Sequence, residues 1–164
     1  MFNGIIFNKG KISRIKKRTK GINLFIKSSL NVSNKNLGIS ISCDGVCLTL
    51  ISYKNKTLEF YLSNETLAKS KYNNINIGDE INLEKPLKFG DNISGHICQG
   101  HVDTVCSLKS IKKVDKSNIL EFKISNVFKK QLVEKASILI NGVSLTISKI
   151  KRNYSTECTY RVTI

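Results

Sequence analysis

His96 and His101 are the only histidines in the chain, five residues apart in the glycine-spaced run SGHICQGHVD. Imidazole titrates near neutrality, so such a pair can relay a proton or orient a water at physiological pH. Two histidines in a loop are as readily a plain surface turn. A second set of polar groups is written twice. Cys47 and Thr49 lie in DGVCLTL (44–50), and Ser144 and Thr146 lie in NGVSLTI (141–147). Residues at i and i+2 of a strand share a face, so each pair presents two small donors or acceptors to one side. Taken singly, either heptapeptide is a tight Asp-Gly or Asn-Gly turn followed by an ordinary strand. Val46 and Leu48 then face one way, Cys47 and Thr49 the other. Repetition at matched positions favours a ligand-lining strand. The alternative for Cys47 is a small buried hydrophobe, the common fate of a free cysteine.

The elements that carry these residues read almost entirely as strands. LGISISCDGVCLTLISY, TLEFYL, EINLE, NILEFKI and ASILINGVSLTISKI are rich in Ile, Leu, Val, Phe and Thr, and several alternate with period two. Turn residues interrupt them at Asp44-Gly45, Lys54-Asn55-Lys56, Asn73-Asn74, Gly78-Asp79 and Asn141-Gly142. Short strands so punctuated predict a barrel or sandwich. Two brief amphipathic stretches, NETLAKSKY and NVFKKQLVEKA, predict helices. The duplication also extends beyond the heptapeptides: MFNGII matches ICQGHV with Gly4 over Gly100, and Ile12 and Ile15 fall over Leu108 and Ile111. A period near 97 residues is too long for a solenoid and implies two copies of one β domain. The expected division is residues 1–96 and 97–164, joined around Phe89 to Gly95.

Composition narrows the function classes. With 40% apolar residues the 164-residue chain can pack cores, and it has no apolar run near the roughly 20 residues that span a bilayer. The N-terminus lacks the order of a signal peptide, so a cytoplasmic protein with no membrane partner is expected. Five cysteines, none spaced as CxxC, suggest free thiols rather than a zinc site or disulfide framework. The formal charge of +15 arises from lysines scattered end to end. Its main concentration, RIKKRTK (14–20), reads as a solvated hairpin. Strand aromatics do not interleave with it, so no nucleic-acid partner is expected.

Several phrases in order resemble the riboflavin synthase α-chain family: MFNGII, DGVCLTL, NETLAKS followed by IGDEINLEKPL, GDNISGHICQGHVD, and KASILINGVSLTI. The match runs over roughly residues 1 to 150. The resemblance implies an all-β chain of two tandem six-stranded Greek-key barrels, each binding one 6,7-dimethyl-8-ribityllumazine. It implies a dismutation of two such molecules to riboflavin and 5-amino-6-(D-ribitylamino)uracil, with no metal or cofactor. It further implies a homotrimer, with a site between the first barrel of one subunit and the second barrel of its neighbour. Lumazine synthase is a candidate partner.

The resemblance places Gly4, Ile5 and Ile6 around the first ligand, with Cys47, Leu48 and Thr49. Tyr61, Leu62 and Ser63 join them, and so do Thr66, Leu67, Ala68, Lys69, Ser70 and Lys71. Around the second ligand it places Gly100, His101 and Val102, then Lys135, then Ser144, Leu145 and Thr146. A flat polar heterocycle with a ribityl chain needs an apolar slot, backbone groups for the ring edge, and small hydroxyls near the ribityl group. Ser40, Thr49, Thr66, Ser144 and Thr146 suit the last task, and glycines at 4 and 100 allow close backbone approach. The reaction removes a proton from the C7 methyl of one ring and activates the other with a nucleophile. His96, His101, Cys47, Ser144 and Thr146 are the candidate catalytic residues. Thr66 and Glu65 stand at a helix start that Ser63 or Asn64 could cap.

After Arg152-Asn153 the text YSTECTYRVTI departs from the family's pattern, which continues with a further strand motif, a second GDxVN strand and a C-terminal helix. The second barrel is therefore expected to be incomplete. A lumazine- or flavin-binding protein without turnover, or an inactive truncated copy, is the alternative to the enzyme.

Overall fold

The computed structural model describes residues 1–151 and 157–163. The chain forms two compact units. The first contains residues 1–103 together with 139–143, and the second contains Thr104–Ile138 with the described residues from Ser144 onward. The first unit therefore continues past the expected boundary at 96, taking in the SGHICQGHVD run.

The first unit is a closed barrel. Its strands are β1 (Asn8–Arg18), β2 (Gly21–Ser28), β3 (Ser40–Cys43), β4 (Val46–Lys54), β5 (Thr57–Ser63) and β6 (Glu80–Glu84). They run in the order β1-β2-β5-β4-β3-β6, and β6 pairs back onto β1. Period-two alternation explains the inside. Leu58, Phe60 and Leu62 of β5 are 0% exposed, while Tyr61 between them stands out at 43%. Leu24, Ile26, Ile41, Leu50, Ile81 and Leu83 join that core, each side chain contributing about 1.5–3 kcal/mol by burial. Bulges between Ile12 and Arg14 and between Leu50 and Ser52 bend β1 and β4 so that the sheet can close. Closure leaves no unpaired edge. The basic run 14–20 is the end of β1 plus a two-residue turn, exposed except for Ile15, as a solvated hairpin should be. Arg14 lays its guanidinium 3.7 Å above the Phe25 ring.

Positive φ at Asp44 (47°) and Gly45 (84°) makes the tight β3–β4 turn, and Asn141 (47°) and Gly142 (81°) repeat it. After β5, helix α1 (Asn64–Lys69) begins where the Ser63 hydroxyl accepts the Thr66 amide at 3.2 Å. Ser70 ends it, and a 3-10 turn follows over Lys71–Asn74. The Tyr72 hydroxyl, buried there, donates to the Cys43 carbonyl at 3.1 Å.

The second sheet has five strands: β7 (Ser107–Val114), β8 (Ser117–Ser125), β9 (Ser137–Ile140), β10 (Val143–Lys151) and β11 (Glu157–Thr163). Their order is β7-β8-β11-β10-β9. The stretch expected to depart from the family pattern supplies a central strand, β11. Cys158, Tyr160 and Val162 of β11 are at most 1% exposed, and the Tyr160 ring stacks on Phe122 of β8 at 5.5 Å. Beside that pair, Arg161 donates to Glu121 at 2.6 Å.

The second expected helix does not form. Of NVFKKQLVEKA, only Asn126–Phe128 makes a single 3-10 turn. Lys135 takes φ +68°, its amide donates to the Ile147 carbonyl at 2.8 Å, and the Ile147 amide donates to Ala136 at 3.0 Å. Pairing with β10 outcompetes the helical hydrogen bonds that the local sequence would otherwise make.

Candidate functional site

Antiparallel register builds a polar ladder on the outside of the first barrel. Ser40 lies opposite Thr49 and Ser42 opposite Cys47, while Ile41 and Leu48 alternate inward. Val46, Leu48 and Leu50 are buried, Cys47 is half-buried and Thr49 is exposed. The thiol and hydroxyl face therefore looks away from the core. Ser42 is nevertheless only 1% exposed, and across β6 it faces Glu84.

The SGHICQGHVD run crosses this face. The Cys47 amide donates to the Gly100 carbonyl at 2.8 Å. A Cβ at Gly100 would lie 2.7 Å from the Cys47 Cβ, and φ there is +79°, so glycine is required on both counts. Phe2 and Cys98 exchange amide-to-carbonyl bonds of 2.8 and 2.9 Å, and the His96 amide donates to Asn3 at 3.1 Å. Val102 packs against the first core. Gly100, which the resemblance sets around the second ligand, is thus hydrogen-bonded through its carbonyl to Cys47. His96 is half-buried, and burial pulls its pKa below the ordinary 6.5. His101 is exposed.

The remaining expected residues divide by position. Ile5 and Ile6 are half-buried, and the Gly4 amide donates to Glu84. Leu48 and Leu62 point into the core, and Leu67 packs against it. The Tyr61 hydroxyl donates to the Lys20 carbonyl at 2.7 Å. Ser63 and Thr66 share a hydroxyl contact of 3.1 Å, and Ser70 Oγ donates to the Thr66 carbonyl at 2.6 Å. Ala68 and Lys69 are exposed, Lys69 pairing with Glu65. Lys71 is held 2.5 Å from buried Asp44. Burial raises the Asp44 pKa, opposed by the hydrogen bonds from Lys71 and the Asn82 amide. In the second unit Ser144 and Leu145 are half-buried, and Thr146 and Lys135 are exposed.

Ser42, Asp44 and Glu84 lie in or beside this ladder and were not singled out by sequence. Ser42 was within reach, two residues from Ser40 in an alternating strand. Glu84 ends a strand and reads as a solvated acid, and Asp44 reads as a turn residue only. A solvent-open cleft of about 320 Å³ lies elsewhere on the barrel, lined by Lys9, Lys11, Lys27, Lys56 and Glu80, and it contains no residue of the ladder. Among the described residues, no helix is long and apolar enough to cross a membrane.

The lumazine binding domain model matches residues 3–86 and again 99–164. The riboflavin synthase of Buchnera aphidicola subsp. Baizongia pistaciae is 35% identical over 155 residues, 93% of this chain and 73% of that one. That of Chlamydia pneumoniae is 37% identical over 151 residues, 92% and 74% of the two chains. Among solved structures, LumP complexed with riboflavin matches with a TM-score of 0.79 at 20% identity, covering 99% of this chain and 87% of that one. LumP complexed with 6,7-dimethyl-8-(1'-D-ribityl) lumazine matches at 0.77 and 21%, covering 99% and 86%. The chain belongs to the riboflavin synthase family.

Proposed function

We propose that the chain binds 6,7-dimethyl-8-ribityllumazine on the outer face of β3 and β4 and acts as a riboflavin synthase. One molecule gives a four-carbon unit to a second, yielding riboflavin and 5-amino-6-(D-ribitylamino)uracil. The observation that carries this reading is the ladder Ser40/Thr49 and Ser42/Cys47 with the Gly100 backbone laid against it. Thr49 and Ser40 offer hydroxyls to the ribityl chain, and the glycine run offers backbone groups to the ring edge. His96, kept neutral by burial, is suited to take a proton from the C7 methyl. Cys47 or a water beside it is suited to add to the partner ring. Ser144 and Thr146 form the matching face of the second unit, and the presence of Ser144 where the first unit has Cys47 makes the two faces unequal. That inequality separates donor from acceptor.

The test is incubation of purified protein with 6,7-dimethyl-8-ribityllumazine while riboflavin fluorescence is followed. Product formed in proportion to protein, and lost in His96→Ala, supports the enzyme. Binding without product selects the second reading, a lumazine- or flavin-binding protein, which the fold shared with the LumP complexes favours. Neither binding nor product refutes both.

A further inference from the structure

Glu84 is a charged side chain in an unexpected place. It closes β6, is 7% exposed, and lies opposite Ser42, which in turn lies opposite Cys47. Glu84, Ser42 and Cys47 therefore form one row across three strands. The two glycine segments sit at the two ends of that row. At one end the Glu84 carboxylate accepts the Asn3 amide at 2.7 Å and the Gly4 amide at 3.1 and 3.2 Å. At the other end the Cys47 amide holds the Gly100 carbonyl. The Phe2–Cys98 bridge ties the segments together between these points.

A buried carboxylate is costly unless its oxygens are hydrogen-bonded. Burial raises the Glu84 pKa, and the backbone amides of Asn3, Gly4 and Ile5 oppose that rise. Barrel closure does not need this acid. The β6 core contacts come from Ile81 and Leu83, both 0% exposed, and the β3–β6 ladder runs through backbone groups. What the carboxylate does is fix the height of residues 3 and 4, and so of the bridged segment that reaches Gly100. Charge-assisted bonds to backbone amides are the strong kind, well suited to holding a segment with no regular structure of its own.

We infer that Glu84 is a positioning residue for the ligand face, seating the Gly4 segment and, through the Phe2–Cys98 bridge, setting the Gly100 backbone against Cys47. The inference rests on the lumazine reading above and adds a residue that touches no ligand. Glu84→Gln keeps the shape but turns an amide N–H toward one of the donating backbone amides, so the clasp loosens.

The experiment is a titration of wild type and Glu84→Gln with 6,7-dimethyl-8-ribityllumazine, reading affinity and the emission maximum of the bound ligand at saturation. The variant, with strand circular dichroism intact, is expected to bind at least tenfold more weakly and to shift that emission maximum. A merely destabilised barrel would lower the bound fraction without moving the maximum. Equal affinity and an unmoved maximum in a folded variant overturn the positioning role alone. A wild-type protein that binds no lumazine overturns the functional reading and this role together. Should Glu84→Gln fail to fold, amide exchange in the wild type decides. Added protection at Gly4, Cys98 and Cys47 on ligand binding supports the role, and unchanged exchange overturns it.

Discussion

The two units repeat one phrase and bury it differently. In the first, Val46, Leu48 and Leu50 of β4 are 7%, 4% and 0% exposed inside a closed six-stranded barrel. In the second sheet, Val143 and Leu145 of β10 are only half-buried, and Ile147 alone of the three is buried. The first strands of the repeat differ more. Ile12 is 1% exposed, whereas its counterpart Leu108 is 49% exposed and every residue of β7 faces solvent. Among the described residues, β7 and β9 are the outer strands of the second sheet, while β6 joins β1 to β3 in the first. Equal sequence patterns therefore give unequal cores when one sheet closes and the other does not.

Core substitutions should break this contrast most visibly. Phe60→Ala in the first unit is expected to cost about 3–5 kcal/mol, and Leu108→Ala in the second less than about 1 kcal/mol, measured by urea denaturation. Comparable losses would show that the exposed β7 is not loosely held.

Within the first unit, Gly100 and Gly90 share positive φ but not surroundings. A Cβ at Gly100 meets Cys47 at 2.7 Å, and one at Gly90 meets nothing within 4 Å. Gly100→Ala is expected to cost about 1–3 kcal/mol and to abolish lumazine binding, while Gly90→Ala leaves binding unchanged. Equal binding by both would detach the glycine run from the ligand face.

Serine caps sharpen the comparison at smaller scale. Ser63 begins a helix, and Ser125 begins a single 3-10 turn with a longer bond, 3.4 Å to the Val127 amide. Ser63→Ala should cost about 1 kcal/mol in thermal unfolding, and Ser125→Ala a fraction of that.

The smallest effect is in pH. Because burial lowers the pKa of His96, the unfolded chain takes up its proton first as pH falls through the ordinary 6.5. Stability is lost from there down to the depressed folded value and is constant below it. In an NMR titration the imidazole midpoint should lie below 6.5; a midpoint above it contradicts the burial argument.

Much of this was legible in the sequence. Alternation marked the strands, Asp44-Gly45 and Asn141-Gly142 marked the turns, and the repeated GVxLT marked a polar face that the structure turns outward. The spacing over 126–136 is amphipathic, yet β10 claims the backbone of Lys135 and Ala136, so no helix forms there. The strand over 157–163 mixes Glu, Thr and Arg with the buried Cys158, Tyr160 and Val162, and its place between β8 and β10 is set by pairing across the sheet rather than by a local pattern. Glu84 and Ser42 were illegible for another reason: their place depends on register across β6, β3 and β4, which local pattern does not contain. The same holds for Gly100, whose neighbour is Cys47, 53 positions earlier, and not the strand that follows it in the chain.

The most direct test is amide chemical-shift mapping during titration with 6,7-dimethyl-8-ribityllumazine. Saturable shifts are expected at Ser40, Cys47, Thr49 and Gly100, with the inward neighbours Ile41 and Leu50 moving least. Shifts confined to the lysine-lined cleft, or to neither region, would contradict binding on the β3–β4 face.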